Sequence, residues 1–109
     1  MRRIPGRLLP HQIVVERFKG QGAFGDVYDP PENINRALVE DKNQRVRDSK
    51  GVEVVSSSTI YLEVPDVPIE LGSMVIRWQG TAYERKSRVI ATQLFHHPRG
   101  LSHLVLNVA

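Results

Sequence analysis

Histidines are the side chains of this sequence best suited to metal or acid–base chemistry, and three of the four lie close together. His96, His97 and His103 flank a predicted turn, so a hairpin there would bring His96 or His97 near His103. A zinc site needs three or four ligands in fixed geometry, and no cysteine or nearby carboxylate completes the set. We therefore interpret these histidines as polar caps or contacts between subunits, and we expect no metal.

Carboxylates and serines supply the remaining candidates for catalysis. The carboxylates form two pairs, Asp29 with Glu32 and Glu40 with Asp41, in polar stretches without a neighbouring histidine. Such pairs are usually solvated charges rather than a general acid and base. The serines at residues 56–58 lack the glycines of a nucleophile elbow. We therefore expect a protein that is not an enzyme and needs no cofactor.

The glycine-rich segment at residues 20–28, GQGAFGDVY, has the glycine spacing of the loop that covers ATP phosphates in protein kinases. None of the other kinase motifs follows it, and a chain of 109 residues is far too short for a kinase. We interpret the segment as a flexible loop leading into residues 29–31.

Basic residues are concentrated in an N-terminal arm and in two internal clusters. The rest of the chain carries equal numbers of basic and acidic residues, so the net charge of +3 belongs to the three arginines of the arm, Arg2, Arg3 and Arg7. The arm either contacts phosphate or an acidic partner, or is a solvated terminus. The clusters at residues 45–50 and 85–88 either follow a phosphate backbone or lie on an exposed strand. Aromatic residues make up only 6% of the chain, so a stacking platform for single strands is poorly supplied.

Length and composition predict one globular domain. A chain of 109 residues buries somewhat more than ~60% of its unfolded surface, which is enough for one modest core. The hydrophobic content of 40% with 25% charged residues is ordinary globular composition. No apolar run approaches a membrane span, and residues 1–5 are not followed by the apolar region of a signal peptide.

Alternation of apolar and polar residues predicts strands at residues 11–18, 52–64, 73–78, 82–95 and 101–108, separated by glycine and proline turns. The long fourth segment is expected to contain a bend or a β-bulge near Lys86 and Ser87. Short strands in this arrangement indicate an antiparallel barrel or sandwich. The side chains expected to face the core are Val52, Val54, Ser56, Ser58, Ile60, Leu62, Val64, Leu104, Leu106 and Val108.

Residues 33–48 are ambiguous between strand and helix. Ile34, Ala37 and Leu38 would give a helix only a weak apolar stripe. Residues 37–39 and 45–47 would equally form two halves of a strand whose hairpin turns at residues 49–51. Local pattern leaves both alternatives open, with the strand favoured because the helix would pack poorly.

The order of motifs resembles the head-to-tail stopper proteins, which are the head-closure connectors of long-tailed phages that infect actinobacteria. The resemblance covers nearly the whole chain, although each short piece is weakly specific alone. Its motifs are residues 9–11, 22–25, 28–31, 39–41, 46–48, 51–57, 69–73, 89–91 and 96–106.

This resemblance implies an all-β fold, a small antiparallel β-barrel with long extended loops, in a single domain of residues 1–109 with an extended N-terminal arm at residues 1–10. It implies a structural virion protein that forms a ring of six or twelve copies below the portal and adaptor. The ring would retain packaged double-stranded DNA and offer a surface to the tail terminator or tail tube. The expected location is the virion neck, after assembly in the host cytoplasm.

Two segments compete for the loop that narrows the channel. Residues 41–51 are preferred, because stoppers carry the gate after the second strand, and this loop would place Lys42, Arg45, Arg47 and Lys50 near DNA. Residues 20–33 would then contact neighbouring subunits through Phe24 and Tyr28, and the arm would anchor to another ring. The alternatives are a nucleic-acid-binding barrel of the oligonucleotide-binding type, and an adaptor or tail-terminator ring of the same virion.

Overall fold

The computed structural model describes residues 8–47, 50–95 and 102–109, and the regular elements of this part of the chain are ten β-strands. Six strands close an antiparallel barrel in the order β1-β4-β7-β10-β9-β8, with β8 pairing back onto β1. The other four form two separate hairpins, β2–β3 and β5–β6. The strands are β1 (His11–Glu16), β2 (Phe18–Gly22), β3 (Gly25–Tyr28), β4 (Glu32–Glu40), β5 (Gln44–Arg47), β6 (Glu53–Ser56), β7 (Ser58–Leu62), β8 (Met74–Arg77), β9 (Arg85–Phe95) and β10 (His103–Val108). The predicted all-β antiparallel barrel is confirmed.

Alternate side chains of the barrel strands form the core. The predicted inward faces of residues 56–62 and 104–108 are confirmed, because Ser56, Ser58, Ile60, Leu62, Leu104, Leu106 and Val108 are all buried. Full burial of each aliphatic side chain contributes about 1.5–3 kcal/mol. Val52 and Val54 were expected on this face, but they lie in the β5–β6 hairpin outside the barrel, where Val52 is 54% exposed and Val54 is half-buried. Val64, also expected there, lies beyond the end of β7 and is half-buried.

The ambiguous segment at residues 33–48 is strand, not helix, where it is described. β4 lies between β1 and β7 and buries Ala37 and Val39. The expected single strand at residues 52–64 is divided at Ser57, whose backbone N–H donates to the Val108 carbonyl at 2.9 Å. This is the point at which the chain passes from the hairpin into the barrel.

The bulge expected near Lys86 and Ser87 is absent there, because both residues pair regularly with β8. It lies instead at Ile90, where Ala91 pairs with Asn107 but Val89 pairs with Val108. The signal for a bend was the length of the segment, which does not say which residue is extra.

The two hairpins leave the barrel at opposite ends of β4. The β2–β3 hairpin connects the end of β1 to the start of β4, and the β5–β6 hairpin connects the end of β4 to the start of β7. The antiparallel pairs Val15 with Glu32 and Glu40 with Thr59 fix these two ends. One barrel strand is therefore flanked by two hairpins of different composition.

Candidate nucleic-acid interface

The β5–β6 hairpin carries the basic residues that the sequence assigned to a channel loop. Its register pairs Gln44 with Ser56 and Arg47 with Glu53. The hairpin pairs within itself and not with a barrel strand. Gly51 has a φ of 77°, a left-handed conformation that glycine adopts without the steric cost of a Cβ.

Four cations lie along this hairpin and the segment leading into it. Lys42, Arg45, Arg47 and Lys50 are all exposed, and the Arg45 side chain is 82% exposed. Residues 42–56 hold four basic and two acidic residues, a net charge of +2 on a projection from a nearly neutral body. Such a projection can contact a phosphate backbone without base-specific readout.

Local contacts orient two of these arginines. Arg45 forms an ion pair with Glu53 at 3.4 Å, and Arg47 donates from an Nη to the Gly51 carbonyl at 3.0 Å. Ion pairs between side chains as exposed as these contribute only about 0–1 kcal/mol to the stability of the folded state. Giving up these contacts would therefore cost either guanidinium group little free energy.

A buried arginine anchors the base of the hairpin. Arg77 is 5% exposed on β8, and its Nε lies 3.3 Å from a carboxylate oxygen of Asp41 in the connection from β4 to β5. One Nη donates to the Ser87 hydroxyl at 3.2 Å, and the other donates to the Ser57 hydroxyl at 3.4 Å. Burial lowers the pKa of Arg77, and the nearby Asp41 carboxylate partly opposes this shift. The Arg77–Asp41 pair thus holds the hairpin base against the barrel.

Trp78 completes this anchor. Its indole N–H donates to the second carboxylate oxygen of Asp41 at 2.6 Å, and its ring packs edge-on against His11 with centroids 4.9 Å apart. The φ of Trp78 is 56°, which a bulky residue adopts only when its surroundings compensate for the strain. Here the bond to Asp41 and the His11 contact provide that compensation.

Sequence reasoning missed this anchor. The sequence did contain a clue to it, because the alternation of the predicted strand at residues 73–78 puts Ser73, Val75 and Arg77 on one face. An arginine in an inward-facing position indicates a buried ion pair. The partner could not be identified, because Asp41 is 36 residues away and only the barrel closure brings it close.

The serine triplet, which was not assigned a catalytic role, ties the barrel together at the same place. The Ser56 hydroxyl donates to the Val108 carbonyl at 3.0 Å, and the Ser57 hydroxyl donates to the Ala109 carbonyl at 2.7 Å. Ser58 donates to the Glu40 carbonyl at 3.1 Å. These hydroxyls satisfy backbone carbonyls where the chain enters β7.

The glycine-rich segment is a hairpin, so its prediction as a flexible loop was wrong. β2 and β3 pair from Phe18 with Tyr28 to Gly22 with Gly25, leaving a two-residue tip at residues 23–24. Phe24 at this tip is fully exposed, whereas Tyr28 packs edge-on against Phe18 with centroids 5.8 Å apart. Of the two candidate subunit contacts, Phe24 projects outward and Tyr28 stabilises its own hairpin.

Of the remaining residues singled out from the sequence, the structure describes the cluster at residues 85–88 but not the arginines of the N-terminal arm. Arg2, Arg3 and Arg7 lie outside the described residues, as do His96 and His97. In the cluster at residues 85–88, Lys86 pairs with Glu16 at 2.7 Å and Arg88 with Asp26 at 3.6 Å. These ion pairs offset part of the charge of the second cluster.

A cleft of about 610 Å³ opens between the start of β4 and residues 62–67. Arg17 pairs with Glu32 there and donates to the Val67 carbonyl at 3.1 Å, while Arg36 pairs with Glu63 at 2.9 Å. The charged groups of the cleft thus engage one another across it.

Within residues 8–47, 50–95 and 102–109 there is no group of three or more histidine or acidic side chains that could hold a metal ion. The same residues include no helix with the length and apolarity needed to cross a membrane. Comparisons with protein-family models, with curated proteins and with solved structures find no match to this chain.

Proposed function

We propose that this chain is a structural virion protein, a head-to-tail stopper that forms a ring of six or twelve copies in the neck of a long-tailed phage. The ring docks below the portal and adaptor, retains packaged double-stranded DNA and offers a surface to the tail terminator or tail tube. The β5–β6 hairpin is the element that faces the DNA. The proposal rests on the ordered motifs of the sequence and on the geometry of this hairpin.

One observation carries the proposal furthest, namely the anchored basic hairpin that projects from a closed barrel. The barrel strands bury the core among themselves, and the two hairpins lie outside it, where surface segments usually carry contacts with partners. The pair between the buried Arg77 and the half-exposed Asp41 fixes the base of the hairpin, while the cations along it are exposed. A rigid base with exposed cations suits a subunit that presents charge to a channel.

The position of the second hairpin also supports the proposal. A connector ring must contact different partners above and below it, and the two hairpins lie at opposite ends of β4. The hairpin after β4 carries cations, and the hairpin before β4 carries Phe24 at a fully exposed tip. Two hairpins of different chemistry can provide the two different surfaces that a heterologous ring contact or a directional stack requires.

The oligonucleotide-binding alternative is less well supported. That fold is a five-stranded barrel with aromatic side chains on its binding face, whereas this barrel has six strands. An adaptor or tail-terminator ring differs from a stopper only in its position in the neck, and co-sedimentation with purified portal or tail particles distinguishes these rings.

The proposal is tested by imaging the concentrated purified protein and by measuring its binding to a labelled 30-base-pair DNA duplex across a salt series. We expect rings, and affinity for duplex DNA that falls steeply with salt. The double variant Arg45→Ala/Arg47→Ala removes two cations of the hairpin. If each arginine contacts one phosphate, the slope of log K against log salt becomes shallower by about 2.

A matched control removes the same charge elsewhere. Arg85→Ala/Arg88→Ala deletes two arginines from β9 and should leave the slope near that of the wild type. Equal slopes for both double variants would show that the hairpin does not face DNA. A protein that stays monomeric at every concentration would contradict the ring, and tight binding to single strands alone would favour the oligonucleotide-binding alternative.

A further inference from the structure

Within the residues that the structure describes, the second half of β9 has one uncovered strand edge. Residues 85–88 of β9 pair with β8, and Val89 still bonds to the β8 side through Ser73 and Gly72 at 2.8 and 3.1 Å. Beyond the bulge at Ile90, β9 pairs with β10 as far as Phe95. On its other side, residues 91–95 have no strand partner in the part of the chain that the structure describes.

The bulge explains why this edge is open. An extra residue bends the strand and increases its local twist. The segment beyond Ile90 therefore diverges from the β8 side while it keeps its pairing with β10. Five residues at about 3.3 Å each give an open edge of roughly 17 Å, which is enough for one added strand.

The composition of this edge offers no protection against pairing. Residues 89–95, VIATQLF, contain no charge, no proline and no glycine, although 25% of the whole chain is charged. Residues 92–95 are exposed, with Leu94 57% and Phe95 41% exposed. Proteins usually blunt an exposed edge with lysine, proline or a covering loop. An unblunted edge of β-branched and apolar residues is a template for another strand.

We propose that residues 91–95 of β9 are the site at which a second copy of this chain adds a strand. A second copy brings what the edge requires, because β2, β3, β5 and β6 pair on one side only within their two-stranded sheets. An uncharged edge provides no electrostatic selection for a highly charged partner, whereas Leu94 matches the exposed apolar side chains Phe24 and Val27 of the β2–β3 hairpin.

The contact is heterologous, with the β9 edge of one copy receiving a different strand of the next copy. Pairing of β9 with β9 about a two-fold axis would close as a dimer and stop, whereas a heterologous contact propagates around a ring. This assignment of the subunit contact rests on the proposed ring.

Photo-crosslinking tests this contact. The photoreactive residue p-benzoylphenylalanine replaces Leu94, and the irradiated full-length protein is analysed on a denaturing gel. A heterologous contact yields a ladder of dimers, trimers and larger species, because each copy receives a strand from one neighbour and adds a strand to the other. The matched control places the same residue at Tyr83, which is 76% exposed in the β8–β9 connection. The control should give at most one-tenth of the crosslinked product.

The outcomes separate this inference from the proposed function. Dimers alone from the Leu94 position would overturn the heterologous contact in favour of two-fold pairing. Rings seen by imaging without crosslinks from Leu94 would overturn the β9 contact and leave the proposed ring standing. A protein that neither crosslinks nor forms rings would contradict both.

A charge on the edge provides an independent test. Leu94→Lys introduces the protection that natural edges use, and we expect it to lower the yield of assembled species about tenfold or more. Tyr83→Lys adds the same charge away from the edge and should assemble like the wild type. Circular dichroism and the thermal midpoint verify that both variants fold. Equal assembly of the two folded variants would refute the inference.

Discussion

Removal of the Asp41 carboxylate should destabilise the protein far more than its half-exposed position suggests. Asp41→Ala leaves the Arg77 guanidinium in the barrel wall, 95% buried, without a counter-charge. Breaking a buried pair from one side costs about 3–5 kcal/mol. Because the Asp41 side chain is 48% exposed, water can enter the vacated site and partly solvate the Arg77 guanidinium, so the cost falls to about 2 kcal/mol. Loss of the Trp78 hydrogen bond adds about 1 kcal/mol, which gives about 3 kcal/mol in all.

Arg77→Met should cost much less, about 0–1 kcal/mol, because it removes the buried charge together with its desolvation penalty. Asp41 then keeps its bond to Trp78 and remains hydrated. In the double variant Asp41→Ala/Arg77→Met, the loss of Asp41 costs only the hydrogen bond to Trp78, about 1 kcal/mol. The coupling free energy between residues 41 and 77 in this double-mutant cycle is therefore about 2 kcal/mol. The order Asp41→Ala, Asp41→Asn, Arg77→Met should run from least to most stable, because asparagine keeps an acceptor for Trp78.

Urea unfolding followed by circular dichroism measures these differences, with thermal unfolding as a second readout. A loss of 3 kcal/mol in a domain of this size lowers the midpoint by roughly 12 °C or more. Asp29→Ala is the matched control, since Asp29 pairs with Lys19 at 3.2 Å on the surface. That change should cost less than about 1 kcal/mol. Equal losses for Asp41→Ala and Asp29→Ala would refute the argument from the buried charge.

The pH dependence of the Arg77→Met effect follows from the sign of the pKa shift. Burial lowers the pKa of Arg77, so the folded state disfavours its proton relative to the unfolded state. The resulting cost is present at every pH below the folded pKa and disappears only as the pH rises through it. Since arginine pKa values lie far above neutrality, the free-energy difference between wild type and Arg77→Met should be equal at pH ~6 and pH ~9.

Three further changes test the core and the two hairpins. Ile60→Ala truncates a fully buried side chain and should cost about 2–5 kcal/mol in urea unfolding, whereas Val55→Ala, at a 61% exposed position, should change stability by less than about 0.5 kcal/mol. Gly51→Ala places a Cβ at a φ of 77° in open space, so it should cost about 1–2 kcal/mol from backbone strain alone and speed amide exchange in the β5–β6 hairpin. Phe24→Ser should leave the unfolding free energy within about 0.5 kcal/mol of the wild type, because the ring is fully exposed, while it reduces surface adsorption of a hydrophobic dye.

Each of these results has a contrary outcome. Similar losses for Ile60→Ala and Val55→Ala would contradict the placement of the core. An unchanged stability of Gly51→Ala would mean that the turn does not hold the left-handed conformation. A large destabilisation by Phe24→Ser would show that the tip of the β2–β3 hairpin packs against the chain.

Local pattern predicted the elements whose surroundings are simple. Leu104, Leu106 and Val108 alternate with one polar and one apolar residue, and such a strand buries one face whichever strands it pairs with. The prediction of a flexible loop at residues 20–28 was wrong because local pattern does not show which residues pair. Glycine permits both a mobile loop and a hairpin, and only the pairing of Phe18 with Tyr28 decides between them.

Some residues of the candidate interface are likewise visible in the sequence, and others are recognised only in the structure. Arg45, Arg47 and Lys50 form a basic cluster that is visible in the sequence, and the structure shows that they are exposed. Their contact with DNA stays a prediction. Arg77 and Asp41 were not paired, because their contact exists only after β8 closes onto β1 and brings the hairpin base alongside.

The sequence by itself determined that the chain forms short antiparallel strands around one core. This property follows from alternation and turn residues, both of which are local. Tertiary structure alone decided the closure of six strands into a barrel, the two hairpins outside it, the buried anchor at Arg77 and, within the described residues, the open edge of β9. Each depends on which distant strands pair and in what register. The alternation that places side chains on the core face does not identify the partner strand.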